Sequence, residues 1–86
     1  MAEQLIGRVI HYFGKASVAA IRITAGELRI GDTIHIKGNT SDFTLPVESM
    51  QINRATVDVA KIGDEIGIHV AEYTREHDGV FRVTPG

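Results

Sequence analysis

The sequence predicts an all-β domain, a small barrel or sandwich of about seven short strands. Three observations carry this expectation. Isoleucines alternate with polar residues in Thr33-Ile34-His35-Ile36-Lys37 and Glu65-Ile66-Gly67-Ile68-His69, the period of a half-buried strand. Glycine and aspartate punctuate the chain between such runs. No stretch sustains a helical period.

In chain order, Leu5 to Phe13 is rich in β-branched and aromatic residues and reads as a strand, with Gly7 marking a bend or bulge. Gly14-Lys15-Ala16 turns the chain. Ser17 to Thr24 follows with Val18, Ala20 and Arg22 on one parity and Ala19, Ile21 and Ile23 on the other. Both parities are largely apolar, so this strand is expected in a covered region, with Arg22 emerging at its end. Ala25-Gly26-Glu27 breaks it. Leu28 then leads into Arg29-Ile30-Gly31-Asp32, a phrase that returns as Lys61-Ile62-Gly63-Asp64 and in both places launches an isoleucine strand. Gly reaches positive φ cheaply and Asp hydrogen-bonds nearby backbone, so each copy is a turn.

Residues 38–42 form the most loop-like segment. Beyond it Phe43, Leu45 and Val47 alternate on odd positions, whereas Met50 and Ile52 continue on even ones. That change of parity at Glu48-Ser49 predicts a bulge or a strand that switches sheets, and Pro46 places an edge here. Asn53-Arg54 is a turn, Ala55 to Val59 a short strand, and Ile66, Ile68 and Val70 point inward after the second phrase. Residues 75–79 make a polar turn before the closing strand of Val80, Phe81 and Val83, which precedes Pro85-Gly86.

Eighty-six residues allow one domain, 1–86, which buries only about 60–65% of its unfolded surface. The absence of cysteine excludes disulfides, thiolate metal sites and cysteine nucleophiles. The start of the chain lacks the basic head and apolar run of a signal peptide, and no apolar run reaches the ~20 residues of a membrane span; the expected setting is cytoplasmic. Nine Lys and Arg against eleven Asp and Glu give a formal charge of −2, without the basic excess of a non-specific nucleic-acid binder.

Three segments together resemble a known family. Gly14-Lys15 is followed by Val18, Ile21, Ile23, Gly26, Leu28 and Gly31-Asp32-x-Ile34; then come Val47-Glu48-Ser49-Met50 and Ala60-Lys61-Ile62-Gly63-Asp64-Glu65-Ile66-Gly67-Ile68. In this order they resemble the second domain of translational GTPases of the elongation factor Tu type, over about Gly7 to Val83. The His11-Tyr12-Phe13 and Asp42-Phe43-Thr44 segments are similar to those of small translation elongation factor-like proteins, and a similar barrel is appended to some collagenase-like peptidases. The resemblance implies a small antiparallel β-barrel of six or seven strands. It also implies contact with an aminoacyl tRNA end or ribosomal RNA through one wall. Glu48 then falls at the glutamate that packs on the terminal adenine, and Arg22 at the arginine of the family's Gly-Arg-Val turn strand. Gln51 stands where an arginine is expected and Glu65 where an asparagine is expected, a lost cation and a gained anion that weaken the hold on a phosphate. No Gly-x-x-x-x-Gly-Lys-Ser/Thr is present, so no nucleotide is expected to bind this chain alone.

No catalytic constellation is visible. Ser17, Ser41 and Ser49 lie outside any nucleophile elbow, and Arg75-Glu76-His77-Asp78 reads as a polar hairpin before it reads as an acid/base cluster. His11, His35, His69 and His77 have no zinc-site spacing, although strand pairing is one route to bring His35 near His69; solvated imidazoles are the plainer reading. No metal or cofactor is expected. Arg8, Arg22 and Lys37 are candidates to gather on one wall, with Tyr12, Phe43 and Tyr73 as a stacking platform and core packing as the plainer reading of Phe43 and Phe81. The expectation is therefore a non-catalytic binding module, not an enzyme, that contacts RNA or a translation component through Arg22, Glu48, Gln51 and Lys37. The alternative is a protein-interaction or accessory domain, for example the partner of a collagenase-like peptidase.

Overall fold

The first and last strands of the chain pair with each other and form the middle of the structure. A computed structural model describes residues 2–39 and 41–84. Strand β1 (Ala2–Phe13) runs antiparallel to β10 (Gly79–Thr84) on one side and to β2 (Val18–Ile23) on the other. Outward from β10 lie β4 (Thr33–Lys37) and β5 (Asp42–Pro46). Outward from β2 lie β9 (Glu65–His69), β6 (Met50–Ile52) and β7 (Ala55–Val57). The eight strands make one antiparallel sheet, and β3 (Glu27–Arg29) pairs with β8 (Val59–Lys61) in a separate ribbon.

The all-β expectation holds, with a correction to the architecture. The main sheet is open, not a closed barrel, and the described residues form ten strands where six or seven were predicted. It is nevertheless rolled. β5 and β6 stand six strand spacings apart in the sheet, about 29 Å if it were flat. The connector 47–49 joins them, and four Cα steps reach at most about 14 Å. The parity change predicted at Glu48-Ser49 is this passage, so it marks a change of partner strand and not a bulge within one strand. Val47 fastens the passage, donating to Asp32 O at 2.8 Å and accepting from Gly31 N at 2.9 Å.

Bulges do occur, in β1, where its register slips between Leu5 and Gly7 against β10 and between Val9 and His11 against β2. Gly7 is indispensable there, because a Cβ would overlap the carbonyl oxygen of Arg22. Pro46 lies on the edge strand β5, as expected of a residue with no N–H to give.

The inward parity of the isoleucine strands is as predicted: Ile34, Ile36, Ile66, Ile68 and Val70 are all buried, with Ile6, Ile21, Ile23 and Met50 beside them. Each such side chain contributes on the order of 2–3 kcal/mol of transfer free energy. The ribbon adds Leu28 and Ala60, register partners that are both fully buried. The predicted strand from Ala55 to Val59 is in fact split at Asp58 between β7 and β8. Of the predicted loop 38–42, Thr40 lies outside the described residues and Asp42 already opens β5; Pro85-Gly86 also lies outside them.

Both copies of the repeated phrase are the same turn. Gly31 and Gly63 sit at φ 97° and 92°, and the following aspartate carboxylates accept from the backbone N–H of Arg29 (2.9 Å) and Lys61 (2.8 Å). A third copy is hidden in Arg75-Glu76-His77-Asp78. His77 takes the left-handed position at φ 74°, and the Asp78 carboxylate accepts from Arg75 N at 3.0 Å.

Candidate functional site

Register places a row of side chains straight across the outer face of the rolled sheet. Glu65 on β9 faces Arg22 on β2, which faces Arg8 on β1, then Gly79 on β10, Lys37 on β4 and Asp42 on β5. Directly paired strand residues project to one face, so these groups share a surface. Like charges at Arg8 and Arg22 are opposed, and Glu65 relieves the second through an Arg22 Nη2 to Glu65 Oε2 bond of 2.6 Å. Both partners of that pair are about half exposed, so it contributes under ~1 kcal/mol.

Two recesses flank the row. One, of about 560 Å³, is an apolar groove over β1, β2 and β9, with Ile10, Phe13, Val18, Ala20 and Gly67 in its wall and Gln51 at its side. The small side chains on the outer parity of β2 leave this groove open, because its inner parity alone supplies the core residues Ala19, Ile21 and Ile23. The other recess, of about 430 Å³, lies over β1, β10 and β4 and contains Arg8, Lys37, Leu5 and Phe81.

Beside the second recess is an arrangement the sequence did not announce. His35 faces outward, as predicted, yet its ring is only 14% exposed and both nitrogens meet carboxylates: Nδ1 lies 2.8 Å from Glu3 Oε2 and Nε2 lies 2.5 Å from Asp42 Oδ1. Both nitrogens can donate only in the imidazolium. The Asp42 bond, aided by Glu3 and opposed by desolvation, raises the His35 pKa, and the same bond lowers that of Asp42. His35 and His69 do not meet, since β10, β1 and β2 lie between their strands.

The four residues expected to act together are dispersed. Arg22 is tied to Glu65 on β9, and Gln51 is in register with Gly67 of that strand, so β9 stands between the two. Lys37 is five strand spacings from Gln51, in the other recess. Glu48 is exposed on the connector and lines neither recess. Arg8 lies directly between Arg22 and Lys37 in the row. The expected stacking platform is only partly present: Tyr12 and Tyr73 meet edge to face at 4.8 Å, whereas Phe43 packs against the core and Phe81 lies half-buried on the outer face.

No family model matches the chain. An uncharacterized protease of Methanocaldococcus jannaschii is 43% identical over 77 residues, which covers 88% of this chain and 19% of that protein. A collagenase of Porphyromonas gingivalis is 38% identical over 78 residues, 90% of this chain and 22% of that one. This chain thus spans about a fifth of the length of the curated relatives it matches. The C-terminal domain of a Geobacillus thermoleovorans protein described as a U32 peptidase superimposes with a TM-score of 0.86 at 17% identity, covering 94% of this chain and 93% of that one.

These findings correct the translation-factor reading and the RNA partner it implied, and sustain its collagenase-like part. The surface agrees physically: Glu65 and Asp42 close the cationic row at both ends, so no continuous basic path crosses the sheet for a polyanion. The expectation that the chain is not an enzyme is overturned as well, since the proteins it aligns with are named protease and collagenase. By sequence this chain is a homologue of one segment of collagenase-like proteases, and by fold it is a counterpart of a U32 peptidase C-terminal domain.

Proposed function

We propose that this domain is the accessory module of a collagenase-like, U32-type peptidase and engages the body of that enzyme through the apolar groove of its outer face. One observation carries the reading: nearly the whole of this chain aligns with only a fifth of each curated relative, as a transferable module within a larger peptidase would. The groove has the anatomy of an interface, with Phe13 half exposed at 51% over small apolar residues and a polar rim of Gln51, Glu65 and Arg54.

The test titrates this 86-residue protein against the Porphyromonas gingivalis collagenase from which the matching segment has been deleted, following binding by calorimetry and collagen hydrolysis in parallel. Binding or restored hydrolysis is expected, with both lost in Ala20→Arg, which fills the groove. A domain that neither binds nor alters hydrolysis would remove the proposal.

A further inference from the structure

The second recess has a chemistry of its own. Arg8 and Lys37 flank Gly79 in the cross-sheet row, two strand spacings and about 10 Å apart at their Cα atoms. Gly79 offers no side chain, and the Phe81 ring lies against it, so close that a Cβ there would stand 3.0 Å from Phe81 Cε1. Leu5 is the register partner of Phe81 and is 48% exposed. Gly79, Phe81 and Leu5 thus give an apolar floor between the two cations, with Thr24 and His77 also in the lining.

Among the described residues neither cation is in an ion pair, whereas Arg22 is held by Glu65 and Arg29 by Glu27. On this face Glu3 and Asp42 both direct a carboxylate oxygen onto His35, and Asp42, the register partner of Lys37, feels the lysine charge without bonding to it. Local charge over the recess is thus positive on a chain whose formal charge is −2. That excess is short, because Glu65 and Asp42 end it.

We infer that the Arg8–Phe81–Lys37 recess binds an extended acidic segment of polypeptide. An apolar side chain of the segment rests on Phe81 and Leu5, and a carboxylate on either side of it meets Arg8 and Lys37. An extended chain advances ~3.3 Å per residue, so carboxylates four residues apart are separated by ~13 Å, within the splay of an arginine and a lysine rooted ~10 Å apart. The inference goes beyond the accessory reading and does not depend on it, since the ligand is tested free of any peptidase.

The experiment is a titration of the protein, followed by amide chemical shifts and calorimetry, with the blocked peptide acetyl-Glu-Gly-Leu-Gly-Glu-amide at about 50 mM salt, where exposed charges are weakly screened. Shifts centred on Leu5, Arg8, Lys37 and Phe81 are expected. Affinity should fall about tenfold for the peptide with both glutamates changed to glutamine, and as much for the Arg8→Gln/Lys37→Gln variant, the sum for two exposed charge pairs. Arg8→Lys should retain binding. Equal affinity for the glutamine peptide, absence of binding at millimolar peptide, or tighter binding of oligouridylate than of the acidic peptide would each overturn the inference. The peptide swap leaves the protein untouched, so a folding defect in the double variant would not obscure the result.

Discussion

Replacing His77 by glycine is expected to stabilise the domain, and the size of the gain follows from the three matching turns. In Arg29-Ile30-Gly31-Asp32 and Lys61-Ile62-Gly63-Asp64 the third residue is glycine at φ 97° and 92°; in Arg75-Glu76-His77-Asp78 it is histidine at φ 74°. An L-residue held in the left-handed region costs roughly 1–2 kcal/mol. Glycine removes that cost but adds about 0.5–1 kcal/mol of backbone freedom to the unfolded chain. The net gain is about 0.5–1 kcal/mol, or a rise in Tm of roughly 2–8 °C for a domain of this size. The side chain is exposed, and the backbone bonds that hold the turn (His77 N to Val9 O at 2.7 Å and Asp78 N to Arg75 O at 3.2 Å) do not need it. Urea unfolding followed by circular dichroism should show a higher midpoint at unchanged slope. A His77→Gly protein no more stable than the parent would refute the strain argument, and a loss of stability would show that the imidazole makes a contact outweighing it.

Two further outcomes follow from buried or shielded polar groups. The His35 pKa is raised in the folded state, so its stabilisation is complete below the unfolded value near 6.5 and is lost as pH rises through the folded one. Tm should therefore decline as the pH rises from the unfolded value near 6.5 through the raised folded one, and His35→Gln should flatten the decline. Asp42 works in the opposite sense, its contribution present above 3.8 and lost as pH falls through its lowered folded pKa; a pH-independent Tm across the histidine range would dismiss the clamp. Thr74 is fully buried, and its Oγ1 has no hydrogen-bond partner among the described residues. The near-isosteric Thr74→Val should gain about 0.5–1 kcal/mol in urea unfolding, and a loss exceeding that would reveal a partner for the hydroxyl.

The local features of the fold were legible because they are written in neighbouring residues. Gly-Asp turns, the inward parity of Ile34 and Ile36 and the edge position of Pro46 need only a few residues of context. The third turn escaped notice because histidine occupies the place of glycine. The separate β3–β8 ribbon escaped because each strand is three residues long and its pairing joins segments some 32 residues apart. The site was the least legible part. Glu65, Arg22, Arg8, Lys37 and Asp42 form a row only through the registers of five ladders, and a one-residue slip in any ladder would send part of the row to the other face. The same holds for His35, whose carboxylate partners stand 32 residues before it and seven after it.

The pairing of β1 with β10 at the middle of the sheet also has a consequence for biosynthesis. The partner that covers one flank of β1 and one flank of β4 is the last of the described strands in chain order, so it is made after both of them. Until then the facing edges of β1 and β4 stand open in the nascent chain, and pairing β10 with β1 closes a loop of some 70–80 residues. Such a domain completes its sheet only once β10 has emerged and is free to pair, so a pause before that point prolongs the aggregation-prone state.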